Sequence, residues 1–318
     1  MTFYDVFNGD ADGICALHQL RLATPRHAEL VTGVKRDIAL LERVPAQAGD
    51  EVTVLDISLD KNRPALQRIL EAGARVVYFD HHYPGEIPEH PNLQATIDTA
   101  SETCTSLLVD QALGGRYRPW AVTAAFGDNL HAAAHRAAEP LGLSDEQLAR
   151  LRVLGTLINY NGYGARVEDL HFPPDELYRR LQPYEDPFRF MDEDPAYDAL
   201  KRGYEEDLAH TEALHPTIAG EHYAIYVLPA EPWARRVSGV FANQLARAHP
   251  DRAHALLTRL PDGGYVVSVR APLNRRTGAD VLCREFPTGG GRQAAAGINH
   301  LPEEDLDRFA ERMAAVFS

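Results

Sequence analysis

The chain of 318 residues is 45% hydrophobic and 25% charged, the balance of a soluble globular protein with room for two domains. A formal charge of −14 excludes a broad basic face for duplex DNA, although not a local groove for a short strand. The cysteines Cys15, Cys104 and Cys283 are too scattered for a disulfide framework or a zinc spacing. With neither a basic leader nor a long apolar run visible, a cytoplasmic protein without a membrane partner is expected.

In chain order, Phe3-Tyr4-Asp5-Val6-Phe7 reads as a strand running into Asn8-Gly9-Asp10-Ala11-Asp12-Gly13. A helix is expected over 13–22, where Ile14, Leu17 and Leu20 share a face. A second strand at 28–32 and a helix at 37–43 follow. Glu51-Val52-Thr53-Val54-Leu55 is a third strand, ending at Asp56, and 63–72 a helix with Leu66, Ile69 and Leu70 inward. Val76-Val77-Tyr78-Phe79 then runs into Asp80-His81-His82, the most informative stretch of the chain. The alternation predicts an α/β domain with a doubly wound, mainly parallel sheet. Such sheets build their sites beyond the carboxyl ends of their strands. Three strand ends would thus deliver Asp10, Asp12, Asp56, Asp80, His81 and His82 to one rim.

A single Asp after a strand is ordinarily a helix cap. Clustered carboxylates, however, repel one another unless a cation neutralises them, and Asp with His suits Mn²⁺-like divalent metals. Beyond a proline-rich loop at 83–91 and a short strand at 94–98, the hydroxyl-rich segment 101–106 opens a helix to Leu113. Its Ser and Thr residues read best as caps. The small, apolar run from Trp120 ends at Asp128-Asn129, making Asp128 a fourth source of carboxylate. His131 and His135 stand at helical spacing without an intervening Glu after the first His, and read as surface histidines. A helix at 143–157 with Ser144 as cap, a turn at 160–164, a broken helical stretch at 173–190 and a long helical stretch at 195–214 lead out of the first half.

Residues 1–191 are therefore expected to form the metal-binding domain, 192–216 a connector and 217–318 a smaller α/β domain. The latter should contain a strand at 223–228, a helix at 237–248, a hairpin of 253–260 with 265–271, and helices at 278–285 and 302–317. Between those last helices lies Thr288-Gly289-Gly290-Gly291-Arg292. Three glycines before an Arg read as a turn whose amides and guanidinium suit an anion. It is neither a Walker loop nor a dinucleotide fingerprint. Arg270, at the end of its strand, is a candidate for the same anion.

With these residues in place the chain resembles the DHH phosphoesterase superfamily. Asn8 to Gly13 is similar to its first motif, Asp56 to the second, Asp80-His81-His82 to the third and Asp128 to the fourth. Gly290 to Gly297 is similar to the Gly-Gly-His…Ala-Ala-Gly signature of the DHH-associated domain. The resemblance implies an active site in a cleft between the domains and two divalent ions, usually Mn²⁺, with Mg²⁺ or Co²⁺ as alternatives. Asp56 would bridge the ions, Asp10 bind one, and Asp12, His81 and Asp128 the other. His82 would face the phosphate, Asp80 orient the imidazoles, and Arg270, Gly289, Gly290, Gly291 and Arg292 hold substrate.

Three departures from the pattern stand out. Some branches carry a ligating His four residues before the first Asp, where this chain has Val6. Asn8 replaces an Asp of some nuclease branches, and Arg292 replaces a His. Arg holds a phosphate but cannot donate a proton at working pH.

The expected function is Mn²⁺-dependent hydrolysis, exonuclease-like, of phosphodiester or phosphomonoester bonds in short oligonucleotides or small nucleotides, by a two-metal mechanism. The competing readings are a polyphosphate or pyrophosphate hydrolase and a non-catalytic module that binds single-stranded nucleic acid. A homo-oligomer is compatible with either.

Overall fold

A computed structural model describes all residues, Met1 to Ser318, in two compact units, Met1–Arg202 and Gly203–Ser318. The first is built on five parallel strands: β1 (Phe3–Phe7), β2 (Glu29–Val31), β3 (Glu51–Leu55), β4 (Arg75–Asp80) and β5 (Leu93–Ile97). Their order across the sheet is β2-β1-β3-β4-β5. The direction of winding reverses between β1 and β3, the topological switch point where open α/β sheets bind their ligands. Helices α1 (Ala11–Ala23) and α2 (Leu59–Glu71) make the early crossovers. The helices α3 (Thr105–Ala112), α4 (Arg118–Gly127), α5 (His131–Ala138), α6 (Asp145–Asn161), α7 (Pro174–Leu181) and α8 (Pro187–Glu193) follow, and α9 (Pro195–Ala209) runs through the boundary between the units.

The central strands β1, β3 and β4 are largely buried on both faces, because helices cover both. Tyr4, Val6, Val52, Val54, Val76 and Tyr78 form one core with Leu66 and Ile69 of α2. On the opposite face, Arg21 of α1 donates to the buried carboxylate of Asp5 and to Thr53 Oγ1, 3.1 Å away. Ser144 caps α6 through a reciprocal box with Gln147.

The second unit has a six-stranded mixed sheet ordered β10-β11-β9-β8-β7-β6. Its strands are β6 (Ile218–Ala219), β7 (Tyr223–Leu228), β8 (Ala253–Arg259), β9 (Tyr265–Arg270), β10 (Gly289–Gly291) and β11 (Ala295–Leu301), and its helices α10 (Pro232–Ala248), α11 (Ala279–Arg284) and α12 (Leu306–Phe317). Strands β7 and β8 pair in parallel and the other neighbours are antiparallel. Phe309, Met313 and Phe317 of α12 close its core against Val267 and Val269 of β9.

Several expected boundaries shift. The helix at 37–43 is only a 3-10 turn, Leu40–Arg43. Helix α2 begins at Leu59 rather than 63, and α10 at Pro232 rather than 237, where proline suits the first helical turn. The turn at 160–164 begins two residues late, because Tyr160 and Asn161 close α6. The glycine run is the edge strand β10 rather than a turn. At Gly289 a Cβ would stand 1.7 Å from the Cys283 carbonyl oxygen, so no other residue fits that edge. All three cysteines are free and buried. No helix is long and apolar enough to cross a membrane.

Candidate metal centre

Each strand end presents its acid in a different way. Beyond β1, Asp10 caps α1, its Oδ1 accepting from the amides of Asp12 at 3.0 Å and Gly13 at 3.1 Å. Beyond β3, Asp56 sits in the left-handed region at φ 60°, which a short polar side chain tolerates best after glycine. Its carboxylate Oδ1 accepts from Thr105 Oγ1 at 3.2 Å. At the end of β4, the fully buried Asp80 accepts from His82 Nδ1 at 2.7 Å, while its Oδ2 has no partner. Asp128 is the C-cap of α4, and Asn129 turns the chain away at φ 61°.

The structure gathers Asp12, Asp56, His81 and Asp128 around one point. His81 Nε2 lies 3.3 Å from Asp56 Oδ1, 3.9 Å from Asp12 Oδ2 and 3.9 Å from Asp128 Oδ2. One ligand atom from each of Asp56, His81 and His82 falls within 4.8 Å of the others. An imidazole nitrogen facing three carboxylates is the donor set of a borderline-hard divalent ion, and the residues fit such an ion. Asp80 fixes the ring of His82 through Nδ1.

The electrostatics agree. Burial pushes the Asp56 carboxyl well up, and the charges of Asp12, Asp10, Asp128 and Asp80 push it further. Asp128 is raised too, by burial and then by Asp12 and Asp10 against the pull of Lys35. Asp10 behaves oppositely: burial would raise it, but the Lys35 ammonium brings it below the ordinary carboxylate value. His82 is raised in spite of burial because it bonds to Asp80. A carboxylate cluster this crowded calls for a compensating cation.

Three contributors were not visible in the sequence. Asp12 accepts from the Thr105 and Ser106 amides, each at 2.7 Å, so an acid from the first motif caps α3. The expected Ser or Thr cap is absent: Cys104 is the N-cap, Thr105 Oγ1 serves Asp56, and Ser106 Oγ serves the Asp12 carbonyl at 2.8 Å. Lys35, in the loop after β2, donates to Asp10 Oδ2 and to Asn159 Oδ1 at 3.0 Å, with Asp128 Oδ1 at 3.6 Å. Its only sequence signal is a lone Lys two residues past Gly33, which by itself reads as a solvated loop charge. His131 and His135 are exposed on α5, with His135 edgewise and His131 tilted against Phe126.

In the second unit, Arg270 ends β9 and donates from Nε to Asn243 Oδ1 at 2.7 Å. Arg270 pairs with Ala295 of β11, and the exposed Arg292 bonds through its amide to the Ala295 carbonyl at 2.9 Å. The two candidate phosphate receptors therefore share one end of the mixed sheet. Gly290, unlike its neighbours, has open space where a Cβ would stand, and packing alone does not require glycine there.

The architecture, a parallel α/β unit with an Asp/His cluster at its switch point followed by a mixed-sheet unit, is shared with solved structures of DHH-domain proteins. Among solved structures, the chain is similar to a manganese-bound RecJ exonuclease at 20% identity and a TM-score of 0.66, over 99% of this chain and 89% of that one. It is similar to Thermus thermophilus RecJ in complex with Mn²⁺ at 19% identity and a TM-score of 0.68, over 99% of this chain but 51% of that one. Similarity to the pGpG-specific phosphodiesterase PggH of Vibrio cholerae covers 99% of this chain and all of that one, at 14% identity and a TM-score of 0.56. No family model and no curated protein matches the sequence.

Proposed function

We propose that the chain is a metal-dependent phosphoesterase that hydrolyses phosphodiester or phosphomonoester bonds of short oligonucleotides or small nucleotides. The observation that carries this reading is His81 Nε2 facing the carboxylates of Asp12, Asp56 and Asp128 at the switch point of the sheet. A divalent ion there, Mn²⁺ by analogy with the RecJ structures, supplies charge to a phosphoryl oxygen and lowers the pKa of water.

The chain's own residues do the rest. Asp12, Asp56, His81 and Asp128 hold the ion, with Thr105 Oγ1 orienting Asp56. His82, partly exposed and fixed by Asp80, donates to the substrate phosphate; protonated, it also compensates charge developing there. Arg292, Arg270 and the amides of Gly289, Gly290 and Gly291 are the proposed phosphate holders of the second unit. The second ion implied by the family resemblance would need Asp10.

The test is hydrolysis with and without Mn²⁺ by the parent and Asp56→Ala. Substrates are a labelled dinucleotide, a longer single strand, 3′-phosphoadenosine 5′-phosphate, a cyclic dinucleotide and polyphosphate. Mn²⁺-dependent turnover of a nucleotide ester, lost in Asp56→Ala, is the expected result. Turnover of polyphosphate alone would make the chain a phosphoanhydride hydrolase. Binding of single strands without turnover would make it a binding module.

A further inference from the structure

We infer that Lys35 is a resident cation of the acid cluster: its ammonium fills one cation position, and the centre takes a single divalent ion. This rests on the phosphoesterase reading and narrows it. Asp10, which would have to serve the other ion, has both oxygens committed. Its Oδ1 accepts two amides of the α1 turn, and its Oδ2 accepts the Lys35 ammonium. Val6, where a further ligand would be expected, is fully buried and packs in the apolar core of the sheet.

Lys35 is seated by the backbone rather than swinging from the surface. Its amide donates to the Gly162 carbonyl at 2.8 Å, and its carbonyl accepts from Asn8 Nδ2 at 3.2 Å. The loop approaches so closely that a Cβ on Gly9 would stand 2.0 Å from the Gly33 carbonyl oxygen. Asn159 Oδ1 holds the ammonium from a third side at 3.0 Å. Two departures from the family pattern then acquire one cause. Asn8 must be an amide because a carboxylate has no hydrogen to donate to the Lys35 carbonyl. Val6 needs no imidazole because the position it would serve already holds a positive charge. Asp128 links the two cation positions, with Oδ1 at 3.6 Å from the ammonium and Oδ2 at 3.9 Å from His81 Nε2.

An ammonium brings charge and N–H donors, but it does not leave with a chelator. The experiment is metal counting on the full chain, stripped with chelator, re-equilibrated with excess Mn²⁺ and desalted. Manganese per chain is measured by elemental analysis, and electron paramagnetic resonance separates isolated ions from exchange-coupled pairs. The parent should hold one ion with an isolated-ion spectrum. Lys35→Met keeps the stem but frees Asp10 and Asp128, and should gain a second, coupled ion. Asp10→Asn should still hold one ion, with affinity changed by less than about tenfold, and it keeps the test alive should Lys35→Met fail to fold. Two ions in the parent, one ion in a folded Lys35→Met, or loss of the ion in Asp10→Asn would each overturn the assignment while leaving a metal-dependent phosphoesterase in place. No ion in the parent would overturn both.

Discussion

Asp12 both caps a helix and faces the proposed metal position, so its replacement separates two opposed effects in the metal-free protein. In Asp12→Ala, the buried amides of Thr105 and Ser106 lose charge-assisted bonds of 2.7 Å each. Such bonds contribute about 1.5–3 kcal/mol apiece, so the loss is about 3–6 kcal/mol. Against it stands relief of repulsion. His81 Nε2 is 3.9 Å from Asp12 Oδ2 and 3.3 Å from Asp56 Oδ1, so those oxygens are at most about 7 Å apart. Like charges at that spacing repel by at least about 2 kcal/mol at an effective dielectric of about 20. Capping therefore wins in Asp12→Ala, with a net loss of at most about 1–4 kcal/mol. In Asp12→Asn one oxygen still accepts and the charge is gone, so the two effects nearly cancel. Urea unfolding in chelator measures both variants. With Mn²⁺ added, the parent should gain about 2.7 kcal/mol at a hundredfold excess over Kd, and neither variant should. An Asp12→Ala protein as stable as the parent in chelator would refute the capping argument. A full Mn²⁺ gain in Asp12→Asn would refute its role as a ligand.

Two further predictions concern the scaffold. His18, buried against Trp120 and bonded to the Tyr184 carbonyl at 2.8 Å, is held down to about 4 by burial, against the opposing pull of that bond. The unfolded chain takes up the proton first, near pH about 6.5, so His18 contributes full stability above that pH and loses it as pH falls toward 4. The loss is about 2 kcal/mol by pH about 5, and His18→Gln should flatten that part of the profile of urea midpoints. An unchanged slope would contradict it. Arg21→Met strands the buried Asp5 and should lower unfolding free energy by about 3–5 kcal/mol, with most of it restored by adding Asp5→Val. Equal stability of parent and single variant would remove Arg21 as the compensating charge.

The strands and acids of the first unit were legible because both follow from short-range rules. A strand covered on both faces is a continuous apolar run, and Val76 to Phe79 ending in Asp80-His81-His82 declares both the strand and its edge. Asp56 was recognisable for the same reason. The partnerships that finish the site were not, because they join residues far apart in the chain. Nothing near Thr105 shows that its helix is capped by Asp12, and nothing near Lys35 shows Asp10, Asp128 and Asn159 around its ammonium. A hydroxyl cluster before a helix ordinarily caps it, which is why 101–106 misled. The glycine run misled because glycine marks turns by its backbone freedom, whereas here Gly289 answers to crowding at a sheet edge.

The cap that Asp12 lends to α3 reaches across 93 residues. It makes the first turn of that helix and the floor of the acid cluster a single object, completed only by tertiary docking. A nascent or partly opened chain in which α3 has swung away loses a carboxylate from its fixed position and the hydroxyl that orients Asp56 at once. Assembly of the acid cluster is thus interlocked with conformational integrity: a molecule unable to close its fold is also unable to bring these side chains together.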